Sequence, residues 1–268
     1  MDMILSAEKI KHLFVLVFMA TLLVTSPSVA DSPAGYSGAY AANLVWEGTV
    51  TMSSDVLILP GATLIIRAGT RVNIVPAEGT KIDPEYLSSQ TELLIRGGLD
   101  IQGTKDQPVR FVIMPGIDNE EFAWAGITLD NADESHIAHA EIERADIAIR
   151  CVTSSPEILG NRITSCRYGI VAQQQSHPKI LNNILSNGEG GIFCWRGSNP
   201  YLLGNQIYGH DEEAVFVDAD SRPWLDRNTI SQNAVGLALY PRDLPYDSTM
   251  VTGNQEDVRW LGRQGQSD

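Results

Sequence analysis

The sequence predicts an all-β chain wound into a parallel solenoid, and three observations carry that reading. Asn161, Asn183, Asn205 and Asn228 recur at steps of 22, 22 and 23 residues. Pro156, Pro178, Pro200 and Pro223 keep the same steps. Between these markers the apolar residues alternate in short runs broken by Gly, Asn, Ser and Pro, which is strand patterning with turns and not a helical stripe. A fixed period in this range marks a solenoid. Roughly 22 residues divided among about three short strands make one coil, and successive coils pair in register about 4.8 Å apart.

At the N-terminus, Lys9, Lys11 and His12 precede an apolar run over 13–24. That run has signal-peptide length and falls short of the ~20 residues that a spanning helix needs. Ser28-Val29-Ala30 supplies the small residues of a cleavage site, so the cut is expected after Ala30. Residues 1–30 are read as a signal peptide and 31–268 as the exported domain, periplasmic or secreted, with no membrane insertion after cleavage. The net charge of −14 disfavours nucleic acid or an anionic membrane surface as a partner.

Within the domain, looser coils are expected over 43–114, where short β runs are punctuated by Gly48, Gly61, Gly69, Gly97, Gly98 and Gly103. The stretch 76–90 has turn formers and no periodicity, and is read as a protruding loop; 115–123 is a second, acidic excursion. Regular coils occupy 124–240, and 241–268, with one more Gly253-Asn254, forms a last partial coil and cap.

In the regular coils Ile163, Leu185, Ile207 and Ile230 follow each Asn by two residues. A second apolar pair follows at Ile170/Ala172, Ile192/Cys194, Val215/Val217 and Leu237/Leu239, with Ile147/Ile149 assigned to the same column. The recurrent Asn is assigned to sharp turns, because Asn tolerates the left-handed region, and to a ladder in which each amide bonds the next. Cys151, Cys166 and Cys194 are expected as three free, buried thiols, since the column register puts Cys151 and Cys194 two coils apart, beyond disulfide reach.

"VLILPGATLIIRAGTRV", "LLIRGGLDIQGTKDQPVRFV" and "WAGITL" resemble the opening coils of bacterial exported right-handed parallel β-helix proteins. The later Pro-x-Ile-Leu-x-Asn-x-Ile coils resemble the repeats of the pectate-lyase-like group. That group contains pectin-degrading enzymes, alginate epimerases and the periplasmic accessory protein of nitrous-oxide reductase maturation. The resemblance implies a right-handed parallel β-helix of about nine or ten coils. It says little about activity, because the repeats encode stacking and the chemistry is grafted onto them.

The resemblance also implies what an active site would require. Polygalacturonase-like hydrolases carry Asn-Thr-Asp, Asp-Asp, Gly-His-Gly and Arg-Ile-Lys elements, of which only Gly209-His210-Asp211 is similar to one here. His210 occupies a ladder position shared with Cys166 and Asn233, which gives it a structural explanation. The Asp-Pro-His of alginate epimerases is missing. Asp218 and Asp220, with Asp211, Glu212 and Glu213, leave weak Ca²⁺ binding as the one cofactor expectation; otherwise neither metal nor cofactor is expected. His136 and His139, near Asp133 and Glu134, are three apart and so point to opposite faces of a strand, which spoils a shared site.

The alternation itself marks a surface. If Ile170, Ile192, Val215 and Leu237 point inward, then Val171, Phe193, Phe216 and Ala238 point outward, followed by Gln173, Trp195, Asp218 and Tyr240. Phe193, Trp195, Phe216, Asp218 and Tyr240 are therefore the candidate ligand-binding residues, on one parallel sheet. The expected function is a non-catalytic binding or accessory module whose ligand is a polysaccharide or envelope protein. The alternative is a carbohydrate-active lyase or hydrolase with a diverged active site.

Overall fold

In the computed structural model the described residues are 35–76, 89–114, 121–132 and 135–262. The expected signal peptide with its expected cut after Ala30, most of the expected loop (77–88), part of the expected acidic excursion (115–120) and Asp133-Glu134 lie outside them. The rest is all strand and turn apart from one 3₁₀ turn, Ser248–Met250. It forms a parallel β-helix.

Each coil contributes three strands to three sheets. The first sheet has eight strands, from Leu44–Trp46 to Trp224–Asp226, and so counts eight complete coils. The second sheet runs from the start of Thr49–Ile58 through Arg71–Ile74 to Thr229–Ser231. The third runs from Tyr36–Tyr40 through the end of Thr49–Ile58 to Val235–Leu239 and Glu256–Trp260. All pairings are parallel, and partial coils lie at both ends. In successive coils the second-sheet strands Arg71–Ile74 and Val109–Ile113 are followed by the third-sheet strands Glu92–Ile95 and Gly126–Asp130.

The inward residues stack on their own kind. Ile137, Ile158, Ile180, Leu202 and Leu225 form one column of the first sheet. Ile142, Ile163, Leu185, Ile207 and Ile230 form another on the second sheet. On the third sheet the column is Ile149, Ile170, Ile192, Val215, Leu237. That order corrects the sequence assignment. The step between these two coils is 21 residues, so Ile149 and not Ile147 pairs with Ile170. Cys151 consequently shares a column with Ala172 and Cys194. They stand two steps of ~4.8 Å apart, outside disulfide reach. All three cysteines are free and buried.

The Asn column lies at the corner between the first and second sheets and is a continuous ladder. Asn161 Nδ2 donates to Asn183 Oδ1 at 2.9 Å, Asn183 Nδ2 to Asn205 Oδ1 at 3.0 Å, and Asn205 Nδ2 to Asn228 Oδ1 at 2.9 Å. Each Oδ1 also accepts the backbone N–H of the preceding ladder residue. Each second amide hydrogen reaches a strand carbonyl, as Asn205 Nδ2 does to Ile180 O at 2.8 Å. The ladder expectation holds, but the turn explanation needs correction. The left-handed residue is the one before: Gly160, Asn182, Gly204 and Arg227 have φ of 65°, 54°, 67° and 49°. The ladder asparagines themselves are not left-handed. They replace hydrogen bonds that a turning backbone cannot make to itself.

Two further ladders serve the other corners. Between the third and first sheets, Ser154 N donates to Ser176 Oγ, Ser176 N to Ser198 Oγ and Ser198 N to Ser221 Oγ, each at 3.1 Å. Between the second and third sheets, His210 N donates to Asn233 Oδ1 at 3.0 Å and Asn233 Nδ2 to Asn254 Oδ1 at 2.8 Å. The Asn ladder ends on sulfur, since Asn228 N donates to Met250 Sδ at 3.3 Å. A thioether is a weak acceptor, and the last partial coil seals the stack there.

The two roles at a corner are separable by mutation. Asn205→Leu leaves the Asn183 N–H and amide without their acceptor and is expected to cost on the order of 3 kcal/mol. Asn182→Gly keeps the left-handed corner open to its residue and is expected to change stability by less than about 1 kcal/mol. Urea unfolding of both variants checks this; equal losses would mean that the corner's conformation, and not the ladder, carries the stability.

Candidate functional site

The candidate site is built on the strands Tyr168–Gln173, Gly190–Cys194, Glu213–Val217 and Val235–Leu239 of the third sheet. Phe193 is in register with Val171 and Phe216, and Phe216 with Ala238. The ladder continues past the strand ends, where Trp195 N donates to Ala172 O, Asp218 N to Cys194 O and Tyr240 N to Val217 O. Trp195, Asp218 and Tyr240 therefore follow Phe193, Phe216 and Ala238 as a second outward column. Five rings join into one strip. Tyr168 meets Phe193 edge-on at 4.8 Å, Phe193 stacks on Phe216 at 5.5 Å, Trp195 on Phe216 at 4.5 Å, and Tyr240 meets Phe216 edge-on at 6.1 Å.

The strip has a floor and an open surface. Phe193, expected to be exposed, is only 7% exposed and packs with Ile147, Val171, Tyr168 and Phe216. Phe216 is half-buried, whereas Trp195 and Tyr240 are 39% and 44% exposed. Such ring pairs add about 0.5–1.5 kcal/mol each beyond the area they bury, so the exposed rings sit on an ordered bed. Gly190 makes the bed possible. A Cβ there would stand 2.4 Å from the Phe193 ring and 3.1 Å from that of Tyr168. Tyr168 was missed by sequence reasoning, although its register with Gly190 is fixed by the same repeat.

Asp218 departs from its expected role. Its Oδ2 accepts the backbone N–H of Arg196 and its Oδ1 that of Asp220, so the carboxylate braces the corner between the third and first sheets. The acidic residues divide between the two ends of Glu213–Val217: Asp211, Glu212 and Glu213 at one, Asp218 and Asp220 at the other. An extended strand of that length separates them by roughly 15 Å. Among the described residues no group of three or more His, Cys, Asp or Glu side chains converges in a way that could hold a metal ion.

The strip is bordered by charge at the second–third corner. Burial, followed by Glu212 and Glu189, holds the Tyr168 phenol above its ordinary pKa. Burial and then Glu212 likewise raise Glu189, against the opposing pull of Arg167. Arg167 also pairs with Asp146 at 2.7 Å and lies over the Tyr168 ring. The thiols contribute no chemistry, since burial pushes Cys166 up to about 12 and raises Cys151 and Cys194 as well, and a neutral buried thiol is inert.

The histidines are dispersed. His136 is exposed on the first sheet, in register with Asp100 and Glu157. His139 lies just beyond that strand at a left-handed corner, its ring against Gly160. His177 Nδ1 accepts Asn199 N at another corner. His210 is buried in the ladder column of Asn233, and neither ring nitrogen has a hydrogen-bond partner among the described residues.

Compared with known proteins, residues 98–256 match the family model described as "Periplasmic copper-binding protein (NosD)". No curated protein and no solved structure matches the chain.

His210 makes the fold acid-sensitive. Burial lowers its pKa from 6.5 to about 4, so below pH 6.5 the unfolded chain takes up a proton that the folded chain refuses. Stability is complete above about 6.5 and falls as pH drops toward 4, by on the order of 2–3 kcal/mol. His210→Asn places an amide in register with Asn233 and is expected to remove that loss and raise stability at pH 5. Urea midpoints at pH 7 and 5 check it; an unchanged pH dependence in the variant would assign the acid sensitivity to other groups.

Proposed function

The chain belongs to the NosD family and is a periplasmic β-helix accessory protein; we propose that it works without catalysis, docking a partner protein against the aromatic strip of its third sheet. The observation that carries this reading is the exposure of Trp195 and Tyr240 over a packed bed of Phe193, Phe216 and Tyr168. Aromatic side chains already held in place lose little freedom on docking, and they dominate the energetics of protein interfaces. The strip spans four successive strands of one parallel sheet, which suits a broad protein surface better than a small molecule. The rim carboxylates Glu189 and Glu212 favour a partner that brings cationic groups to that edge. An accessory protein acts on other proteins, so a protein is the favoured occupant.

Two other readings use the same surface. A polysaccharide would stack sugar rings on Trp195 and Tyr240. A diverged lyase or hydrolase would need an acid and a base in reach of one substrate atom. The separation of Asp211–Glu213 from Asp218 and Asp220 by the length of a strand weighs against it.

The test is a photo-crosslinking residue placed at 195 or 240 in the exported protein, with position 224 as control. Trp224 is 62% exposed but lies on the first sheet, which makes it a matched aromatic surface site. Protein adducts are expected from 195 and 240 and not from 224. With the captured partner purified, Trp195→Ala is expected to weaken binding roughly 10- to 30-fold, about 1.5–2 kcal/mol, in a protein that stays folded with a urea midpoint lowered only by the lost stacking on Phe216. Adducts from 224 alone would sink the proposal, and adducts to glycan would favour the polysaccharide.

A further inference from the structure

We infer that this chain chelates no copper ion by itself, because the fold keeps its copper-binding side chains apart. Copper in the periplasm is bound best by thiolate, thioether and imidazole groups. After the leader the sequence offers ten such residues: Cys151, Cys166 and Cys194, His136, His139, His177 and His210, and Met52, Met114 and Met250. All ten lie among the described residues; Met114, half-buried, follows the second-sheet strand Val109–Ile113, two coils before Cys166.

A metal joining two sulfurs needs them within about 4.6 Å, twice a metal–thiolate bond of ~2.3 Å. Cys151 and Cys194 are in the interior of the third sheet with Ala172 between them, two coil steps of ~4.8 Å apart. Met52 is fully buried on the second sheet near the N-terminal end, and Met250 Sδ is committed to the Asn228 N–H at the other end. The imidazoles occupy one face and three different corners, as described above. His177 also has one ring nitrogen engaged.

One mixed pair, Cys166 and His210, shares the ladder column of the second–third corner. Gly188 stands between them, so the two lie two coil steps of ~4.8 Å apart, farther than the roughly 4.4 Å that a metal joining one sulfur and one imidazole nitrogen spans. Cys166 Sγ rests against the Ile142 and Thr164 carbonyls, at 3.9 and 3.6 Å. His136 has carboxylate neighbours Asp100 and Glu157, but those are hard oxygen donors on an open surface, and Asp100 already accepts from Gln102.

The residues present therefore do not fit the copper of the family's description. Where that copper resides then rests on the docking reading: on the protein that meets the aromatic strip, with this chain as its holder.

The test uses the purified exported chain and Cu(I) held by a chromophoric chelator, bicinchoninate. One equivalent of chain is expected to leave the absorbance of the Cu(I)–chelator complex unchanged. Withdrawal of one Cu(I) per chain overturns the inference, and its loss in Cys166→Ser or His210→Asn would then locate the donors. Cross-linking at 195 and 240 is read independently of copper. A chain that withdraws Cu(I) yet still cross-links overturns this inference alone, whereas one that neither withdraws it nor cross-links leaves the chelation result standing and removes the docking reading.

Discussion

Each coil of this molecule can lie on the next only if its buried corners hand over a hydrogen bond. Strand backbone satisfies itself in a parallel sheet, but a corner residue turns its N–H and C=O away from that ladder, and a buried polar group without a partner costs about 1–3 kcal/mol. Asn161, Asn183, Asn205 and Asn228 meet the demand at one corner, Ser154, Ser176, Ser198 and Ser221 at another, and Asn233 and Asn254 at the third. The register of the apolar columns follows from these corners. A slip by one residue would leave a row of amides facing carbon.

This explains which parts of the fold were legible in the sequence. A residue whose partner is its own equivalent in the next coil must repeat, so the Asn column and its ladder could be read directly. The serines repeat at the same steps and carried the same signal, but Ser is common in turns and drew no notice. The left-handed residue was misassigned because the requirement falls on the preceding position, where Gly160, Asn182, Gly204 and Arg227 share a conformation without sharing an identity. A backbone geometry that several residue types can adopt leaves a weak trace in one sequence. The column error at Ile147 has a similar origin, since a single 21-residue step moves the register while the alternation of apolar residues looks unbroken.

The candidate site was legible to a different degree. Period-2 alternation put Phe193, Phe216, Trp195 and Tyr240 on one side of one sheet, and the structure places them there. What alternation could not supply was depth. It treats every outward residue alike, whereas contact between neighbouring rings buries Phe193 and leaves Trp195 open. Nor could it show that Asp218 is occupied by the backbone of its own corner, because that depends on Arg196 N being turned toward it by a left-handed residue.

The site also stands where the architecture has room for it. In the regular coils the first and second sheets have strands of three or four residues, each flanked at once by corners, while the strands of the third sheet have five or six. Two outward columns can then run side by side, close enough for Trp195 of one to stack on Phe216 of the other. Inside the stack, every position answers to the coil above and below. That constraint puts the cysteines and corner histidines either in different columns or two coils apart in one column, and a site needing three donors at one point is hard to assemble under it. A row of like side chains on the outside costs the fold little, because in-register stacking produces rows by default. A parallel β-helix therefore favours extended surfaces over pockets, and in this chain the third sheet carries a continuous strip of five aromatic rings.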